Sequence, residues 1–242
     1  MPIGPGSHPG YVSLPGSVPG NAPHSALAAP LGVVAAALLL SACGGDAQEP
    51  SSAALPQGCE PVEKPPPKHV DLKPPQRQVP GGEQLTAVVE TTCGSFEVAL
   101  DTRDSPRTVS SFAYLAEHGV YDDTTFHRIV PGFVIQGGDP LGTGTGGPGY
   151  SVEEPPAPGT EYTKGTVAMA KTAVEPAGRS GSQFFVVTAT DAGLPAEYAV
   201  LGHVSSGENV VNRIASLGSR ASGQTGTPEA TVVIQTIAIN RG

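Results

Sequence analysis

Residues 126–139 read FHRIVPGFVIQGGD, and the interpretation of the chain begins with this stretch. Residues 133–136 begin with three apolar side chains, of which Val134 and Ile135 are β-branched, and this predicts a strand. Two glycines follow it directly. Arg128 stands a few residues before that strand. An arginine taken alone is more often a solvated surface charge than a catalytic group, so its role has to be judged from the surrounding sequence.

On both sides of this stretch, apolar and β-branched residues recur in the short segments typical of strands. The predicted strands are residues 87–90, 95–100, 133–136, 166–170, 183–188, 199–204 and 231–239. The Thr91-Thr92-Cys93-Gly94 link between the first two suits a hairpin.

Two helices are predicted among these strands. Ser105 is a candidate N-cap with Pro106 at the first helical position, and Gly119 marks the end. The second helix is predicted over residues 208–217, with Gly218 after it. Many strands, two isolated helices and glycine-rich connections predict a mainly β fold, a closed eight-stranded antiparallel barrel with a packed interior and two capping helices.

Composition divides the chain into three parts. The chain holds 32 glycines and 26 prolines, and many of them lie before residue 81. Residues 43–83 contain nine prolines and few apolar residues, which predicts an extended, semi-rigid tether with polyproline II character that holds the domain away from the membrane. Residues 84–242 are long enough for one domain with its own core.

Residues 1–42 read as a leader. Residues 26–42 are ALAAPLGVVAAALLLSA, an uncharged run of about the length of a signal-peptide core. The run ends in Leu40-Ser41-Ala42 before Cys43, a pattern that resembles the bacterial lipoprotein lipobox and implies a lipid on Cys43. We expect a protein anchored to the cell membrane on its extracytoplasmic side. No Lys or Arg precedes the run, which departs from the usual leader, and an uncleaved membrane anchor is the alternative.

Charge and cysteine content exclude some functions. The formal net charge is −9 and no basic cluster is present, so nucleic-acid binding is not expected. The three cysteines form no CxxC pair, which argues against zinc and thioredoxin-type sites. Outside the cytoplasm Cys59 and Cys93 could form a disulfide once Cys43 carries its lipid; two free thiols are the alternative.

The stretch 126–139 resembles the signature of the cyclophilins, and further motifs follow in the order of that family. They are GTGTGGPGY at 142–150, GTVAMA at 165–170 and GSQFF at 181–185. The resemblance extends from about residue 86 to residue 239. It implies a peptidyl-prolyl cis-trans isomerase that acts on proline-containing polypeptides and needs no cofactor or metal, and we expect a monomer.

The reaction sets what the residues must do. Rotation about a peptide bond meets a barrier of about 18–20 kcal/mol because of its partial double-bond character. Catalysis therefore needs a pocket that binds the twisted amide better than either planar form. The resemblance implies a catalytic set of Arg128, Gln136 and Phe133. It places substrate contacts at Val134, Ala170, Lys171, Gln183, Phe185, Leu194 and Tyr198.

Two positions depart from the drug-binding members of the family. Gly193 stands where those members carry tryptophan, and Lys171 replaces a frequent asparagine. Weak cyclosporin binding is the expected result. These departures also leave an alternative function open, a proline-segment binding module or chaperone with weak turnover. The sequence GRSGS at 178–182 departs from the hydrolase GxSxG motif, so a serine hydrolase is not expected.

Overall fold

The computed structural model describes residues 55–242. The predicted leader, Cys43 and the first part of the predicted tether, up to residue 54, lie outside the described residues. The strands are β1 (Leu85–Thr91), β2 (Gly94–Leu100), β3 (Thr124–Thr125), β4 (Arg128–Val130), β5 (Val134–Gly137), β6 (Val152–Glu153), β7 (Thr166–Met169), β8 (Arg179–Ser180), β9 (Phe184–Val187), β10 (Val200–Ser206) and β11 (Val233–Arg241). The helices are α1 (Pro106–Glu117) and α2 (Glu208–Ala215), with a short 3₁₀ helix at Arg220–Thr225. No helix in residues 55–242 is long and apolar enough to cross a membrane.

The strands confirm a mainly β fold. The predicted closed eight-stranded barrel is wrong, because the main sheet has nine strands and two edge strands. Nine strands form one antiparallel sheet in the order β3-β11-β1-β2-β10-β7-β9-β5-β4, and β6 pairs with β8 separately. The edge strands β3 and β4 are neighbours in the chain, separated by Phe126 and His127. Phe126 donates its N–H to Val232 at 3.0 Å, so β3 stays with β11 while β4 pairs with β5. A single bridge, Thr125 to Asp139, links β3 to the chain beyond β5.

Both predicted helices form and bury one face in the common core. The apolar face of α1 includes Val109, Phe112 and Leu115. Its first N–H groups donate to the Glu154 carboxylate, from Arg107 at 3.1 Å and Thr108 at 2.6 Å. The Ser105 side chain makes no capping bond, so the N-cap prediction was right in position and wrong in mechanism.

Alternation along β9 separates the core from a second apolar cluster. Phe184 packs edge-on against Phe112, Tyr121 and Phe126, with ring centroids 5.8 to 6.2 Å apart. Phe185 points the other way because successive strand residues face opposite sides of a sheet. There it joins Val134, Ala168 and Tyr162 in a smaller buried cluster on the outer face of β5, β9 and β7.

The predicted tether differs from expectation over residues 55–83. This segment is extended but lies along the folded domain, and Leu55, Cys59, Val70, Leu72 and Val79 pack against its core. Cys59 and Cys93 form a disulfide. Most of the predicted tether that the structure describes is therefore a part of the domain surface.

Candidate active site

The β4–β5 hairpin brings Arg128 opposite Gln136. The two residues are register partners across the hairpin, and Arg128 Nη1 donates to Gln136 Oε1 at 3.3 Å. The turn between the strands contains Gly132 at φ +70°, a left-handed conformation that glycine adopts without strain. The guanidinium carbon lies 5.7 Å from the centre of the Phe133 ring, within the range of a cation–π contact.

A chain of hydrogen bonds runs inward from the guanidinium. Gln136 Nε2 donates to Gln183 Oε1 at 3.1 Å, and Gln183 Nε2 donates to the Gly146 carbonyl at 2.9 Å. On its other side, Arg128 Nε donates to the Gln224 carbonyl at 3.1 Å. These contacts fix the orientation of the guanidinium before any substrate arrives.

A cavity of about 370 Å³, with both apolar and polar side chains in its lining, opens beside this arginine. Its volume lies at the lower end of the range of small-molecule sites. Nine of the ten residues implied by the sequence line it: Arg128, Phe133, Val134, Gln136, Ala170, Lys171, Phe185, Leu194 and Tyr198. The phenol ring of Tyr198 stands edge-on to Phe185 at 5.5 Å.

A second cavity of about 530 Å³ adjoins the first and shares Gln136, Ala170 and Lys171 with it. Gln183, the tenth implied residue, lines this second cavity. Residues 140–149 are here called the glycine loop. The far wall of the second cavity is the part of this loop from Gly144 to Gly149, together with Tyr150 and Ser151. Because the two cavities share three lining residues, we describe them together as one groove.

The glycine loop is organised by a buried carboxylate that the sequence analysis did not single out. Asp139 is fully buried and accepts hydrogen bonds from the N–H groups of Leu141 at 2.8 Å, Thr143 at 2.9 Å and Gly144 at 2.5 Å. Burial acts to raise the pKa of Asp139, but these backbone hydrogen bonds outweigh it and lower the pKa. A carboxylate directly before a glycine-rich stretch was the available signal.

Lys171 lies where the sequence implied, but its amino group faces away from solvent. The side chain is 2% exposed, and Nζ lies 2.9 Å from Glu197 Oε2. Nζ also donates to the carbonyls of Glu175 at 3.1 Å and Thr172 at 3.3 Å, and lies 5.4 Å from the centre of the Tyr198 ring. Lys171 therefore joins two loops at the boundary of the two cavities, and Glu197 is a partner that the sequence analysis missed.

Arg128 retains its charge in this setting. Partial burial lowers the pKa of the guanidinium, and the nearby Tyr198 opposes that shift. Arginine remains protonated in proteins at any ordinary pH. The site thus presents a fixed positive donor beside the apolar side chains of the first cavity, with the amide side chains of Gln136 and Gln183 next to it.

The family model for cyclophilin type peptidyl-prolyl cis-trans isomerases matches residues 86–239. This chain belongs to that family. Among its relatives, peptidyl-prolyl cis-trans isomerase B of Streptomyces anulatus is 37% identical over 175 residues, which are 65% of this chain and 97% of that protein. Peptidyl-prolyl cis-trans isomerase-like 1 of Neurospora crassa is 42% identical over 130 residues, 52% of this chain and 78% of that protein.

A solved cyclophilin supports the same assignment. The cyclophilin type isomerase of Cryptosporidium parvum, crystallised in the presence of the dipeptide Ala-Pro, superposes with a TM-score of 0.58 at 30% identity. The match covers 65% of this chain and 99% of that one. The protein is a cyclophilin-type peptidyl-prolyl cis-trans isomerase, as the motifs in its sequence predicted.

Proposed function

We propose that Arg128 is the catalytic group of this cyclophilin and that it acts only on the twisted amide. In a planar X–Pro bond the nitrogen lone pair is delocalised into the carbonyl. As the bond rotates, the lone pair localises on nitrogen and can accept a hydrogen bond from a guanidinium N–H. No covalent bond forms or breaks, and no proton is transferred. An interaction that exists only in the transition state lowers the barrier.

One observation carries this proposal: the guanidinium is held from two sides and still has a free donor. Nε and Nη1 are committed to Gln224 and Gln136, whereas Nη2 has no hydrogen-bond partner within residues 55–242. The Phe133 ring lies 5.7 Å from the guanidinium carbon, close enough for a cation–π contact. The remaining N–H groups are therefore available for a substrate in the first cavity.

The lining residues divide into two further roles. Phe133, Val134, Phe185 and Leu194 would hold the proline ring by apolar contact, with Tyr198 and Ala170 at its edge. Gln136 and Gln183 would bind the substrate backbone. A separation of kcat from KM tests these roles. Phe133→Ala should mainly raise KM and Arg128→Lys should mainly lower kcat, because a lysine cannot reproduce the planar donor fork. The same effect of both changes on KM alone would contradict the assignment.

We also infer that the enzyme works on exported or envelope proteins, anchored by a lipid on Cys43. The support is the apolar run before Cys43 and the Cys59–Cys93 disulfide, since disulfides persist mainly in oxidising compartments. The eleven residues between Cys43 and Leu55 span at most about 40 Å when extended. This length is an upper limit on the reach of the proposed tether before Leu55.

Fatty-acid labelling of cells that express the chain tests this location. The wild-type protein should incorporate the label and remain with the membrane fraction, and Cys43→Ser should lose both properties. Label retained in Cys43→Ser would refute the anchor.

A monomer is expected, because Val174 is the one exposed large hydrophobic side chain within residues 55–242. Light scattering of the purified protein measures its mass.

A further inference from the structure

Residues 59–72, here called the strap, bury every third side chain along their first turns. Cys59, Val62, Pro65 and Lys68 are half-buried, while most residues between them are exposed. A polyproline II helix has three residues per turn, so this periodicity puts one face of the strap against the domain. The strap is thus an extended element with a defined inner side.

The strap contacts the glycine loop at both ends of the loop. Lys68 donates its backbone N–H to the Pro140 carbonyl at 2.8 Å, and Leu72 donates to the Pro148 carbonyl at 2.8 Å. A third contact reaches the loop between those two carbonyls, where Gly142 accepts a hydrogen bond from Lys64 Nζ at 2.9 Å. None of Lys64, Lys68 and Leu72 lines either cavity of the candidate site.

The strap is itself held at points away from the loop. The Cys59–Cys93 disulfide and a 2.8 Å hydrogen bond from Glu60 N–H to the Thr92 carbonyl fix its beginning. Lys68 Nζ donates to the carbonyls of Gly119 at 3.2 Å and of Asp122. The strap can therefore act as a rigid support for the loop.

The loop in turn presents the acceptor at the end of the hydrogen-bond chain from Arg128. It contains five glycines in ten residues, a composition that loses much conformational freedom on ordering. Asp139 restrains the loop as far as Gly146, through the N–H groups of Leu141, Thr143, Gly144 and Gly146. The loop's second half holds Gly146, whose carbonyl accepts from Gln183, and is met at Pro148 by Leu72.

We propose that the strap is a positioning element for the substrate groove, with Leu72, Lys68 and Lys64 as its positioning residues. By fixing the loop, the strap holds the Gly146 carbonyl where Gln183 binds it, and so fixes Gln136 and Arg128. The inference rests on the proposed active site. A segment outside the nine-stranded sheet thereby becomes part of the structure on which catalysis depends.

Two substitutions at one position in the full chain test this. Leu72→Pro removes the N–H that binds Pro148, whereas Leu72→Ala keeps the N–H and only shortens the side chain. Loss of one such hydrogen bond should lower kcat/KM by about three- to tenfold in Leu72→Pro. Leu72→Ala should stay within about twofold of wild type, since its N–H still reaches Pro148.

A double-mutant cycle with Gln183→Ala identifies the route. If the strap acts through Gln183, Leu72→Pro should lower kcat/KM little further once Gln183 is gone, while the losses in melting temperature still add. Full additivity in kcat/KM, or an equal loss in Leu72→Ala, would overturn the proposal. An inactive wild-type protein would instead refute the proposed function.

A second variant covers the case in which Leu72→Pro does not fold. Lys64→Met removes only an exposed side-chain donor, so the fold should survive. Amide hydrogen exchange at Thr143 and Gly144 should become faster by roughly two- to tenfold, and Lys73→Met, on the same segment, is the matched control. Equal exchange in Lys64→Met and Lys73→Met would contradict the proposal.

Discussion

At the scale of single residues, the cationic groups of Lys171 and Arg128 differ in how many of their donors are bonded within the protein. Arg128 keeps a free donor for the substrate, whereas Lys171 has three protein partners and 2% exposure. A buried ammonium is tolerated only where carboxylate and carbonyl oxygens replace its water. Lys171 therefore stabilises the boundary between the two cavities, and we assign it no direct role in the reaction.

Lys171→Met should lower the free energy of unfolding by about 1–3 kcal/mol, because Glu197 and two loop carbonyls lose their common partner. The matched control is Lys164→Met. Lys164 pairs with Glu208 on the surface, where both side chains are about half exposed, and that pair should contribute less than about 1 kcal/mol. Urea unfolding of both variants measures the difference. Equal losses would show that the buried pair has no special weight.

His127 gives the fold a dependence on pH. Burial lowers the pKa of its imidazole, and although Asp139 raises it, Arg128 and Lys64 add to the lowering. The unfolded chain binds a proton below about pH 6.5, where the folded protein still holds His127 neutral. The free energy of unfolding should therefore fall as the pH drops from about 6.5 through the lowered pKa of His127. Above about pH 6.5 His127 is neutral in both states, so it adds no further dependence on pH there.

Urea unfolding between about pH 7.5 and pH 5 measures this slope. His127→Gln should flatten it, and His69→Gln, at an exposed position, should leave it unchanged. A slope that persists in His127→Gln would assign the effect to another group.

At the scale of elements, most strands and both helices were predictable from the sequence. The pattern at residues 87–90 and 95–100 marked β1 and β2, and the Pro106–Gly119 signals marked α1. The break between β3 and β4 was not predictable from local sequence, because it depends on the pairing of β3 with β11, a strand more than 100 residues further along the chain. The short strands β6 and β8 have too few residues for any periodicity.

The side chains that line the first cavity were predicted from the sequence, whereas Asp139, Glu197 and the backbone partners of the site were not. Nine of ten implied residues line the first cavity. The acceptors for Arg128 and Gln183, at Gln224 and Gly146, are backbone carbonyls. Any residue type supplies a carbonyl, so sequence offers no signal for such partners.

The glycine loop yields a prediction of its own. A Cβ at Gly146 would stand 2.0 Å from Asp139 Oδ1, whereas a Cβ at Gly147 meets nothing within 4 Å. Gly146→Ala should therefore displace the loop and cost about 1–3 kcal/mol of stability. Gly147→Ala should cost less than about 0.5 kcal/mol. Thermal unfolding of the two neighbours compares them directly, and equal melting temperatures would argue against a loop closed on Asp139.

At the scale of the whole molecule, the structure differs from the tether prediction over residues 55–83, for an identifiable reason. The prolines predicted extended backbone, but the partly buried Cys59, Val62 and Pro65 of the strap are spaced by three, which is the period of neither an α-helix nor a β-strand. The partners of the strap lie far away in sequence; Leu72 meets Pro148 and Cys59 meets Cys93. Composition alone therefore assigned to a linker what the fold uses as surface.

The disulfide is the covalent part of that attachment. It closes a loop of 34 residues, and loop closure of this length should stabilise the fold by about 3–4 kcal/mol through the unfolded chain. Cys59→Ala with Cys93→Ala should lower the free energy of unfolding by that amount. Urea unfolding of the wild type should show a similar loss in reductant, and no further loss in the double variant. Unchanged stability in both cases would mean that the strap is held without the bond.

The central claim is that Arg128 supplies the catalytic interaction of this cyclophilin. Protease-coupled isomerisation of an Ala-Pro-Phe peptide tests it most directly, with Arg128→Ala beside the exposed control Arg103→Ala. We expect wild-type and Arg103→Ala proteins to turn over at the same rate, and Arg128→Ala to lose about 10²–10³-fold in kcat/KM. Equal activity in Arg128→Ala would contradict the account. Peptide binding with turnover at the uncatalysed rate in the wild type would instead indicate a binding module on a cyclophilin scaffold.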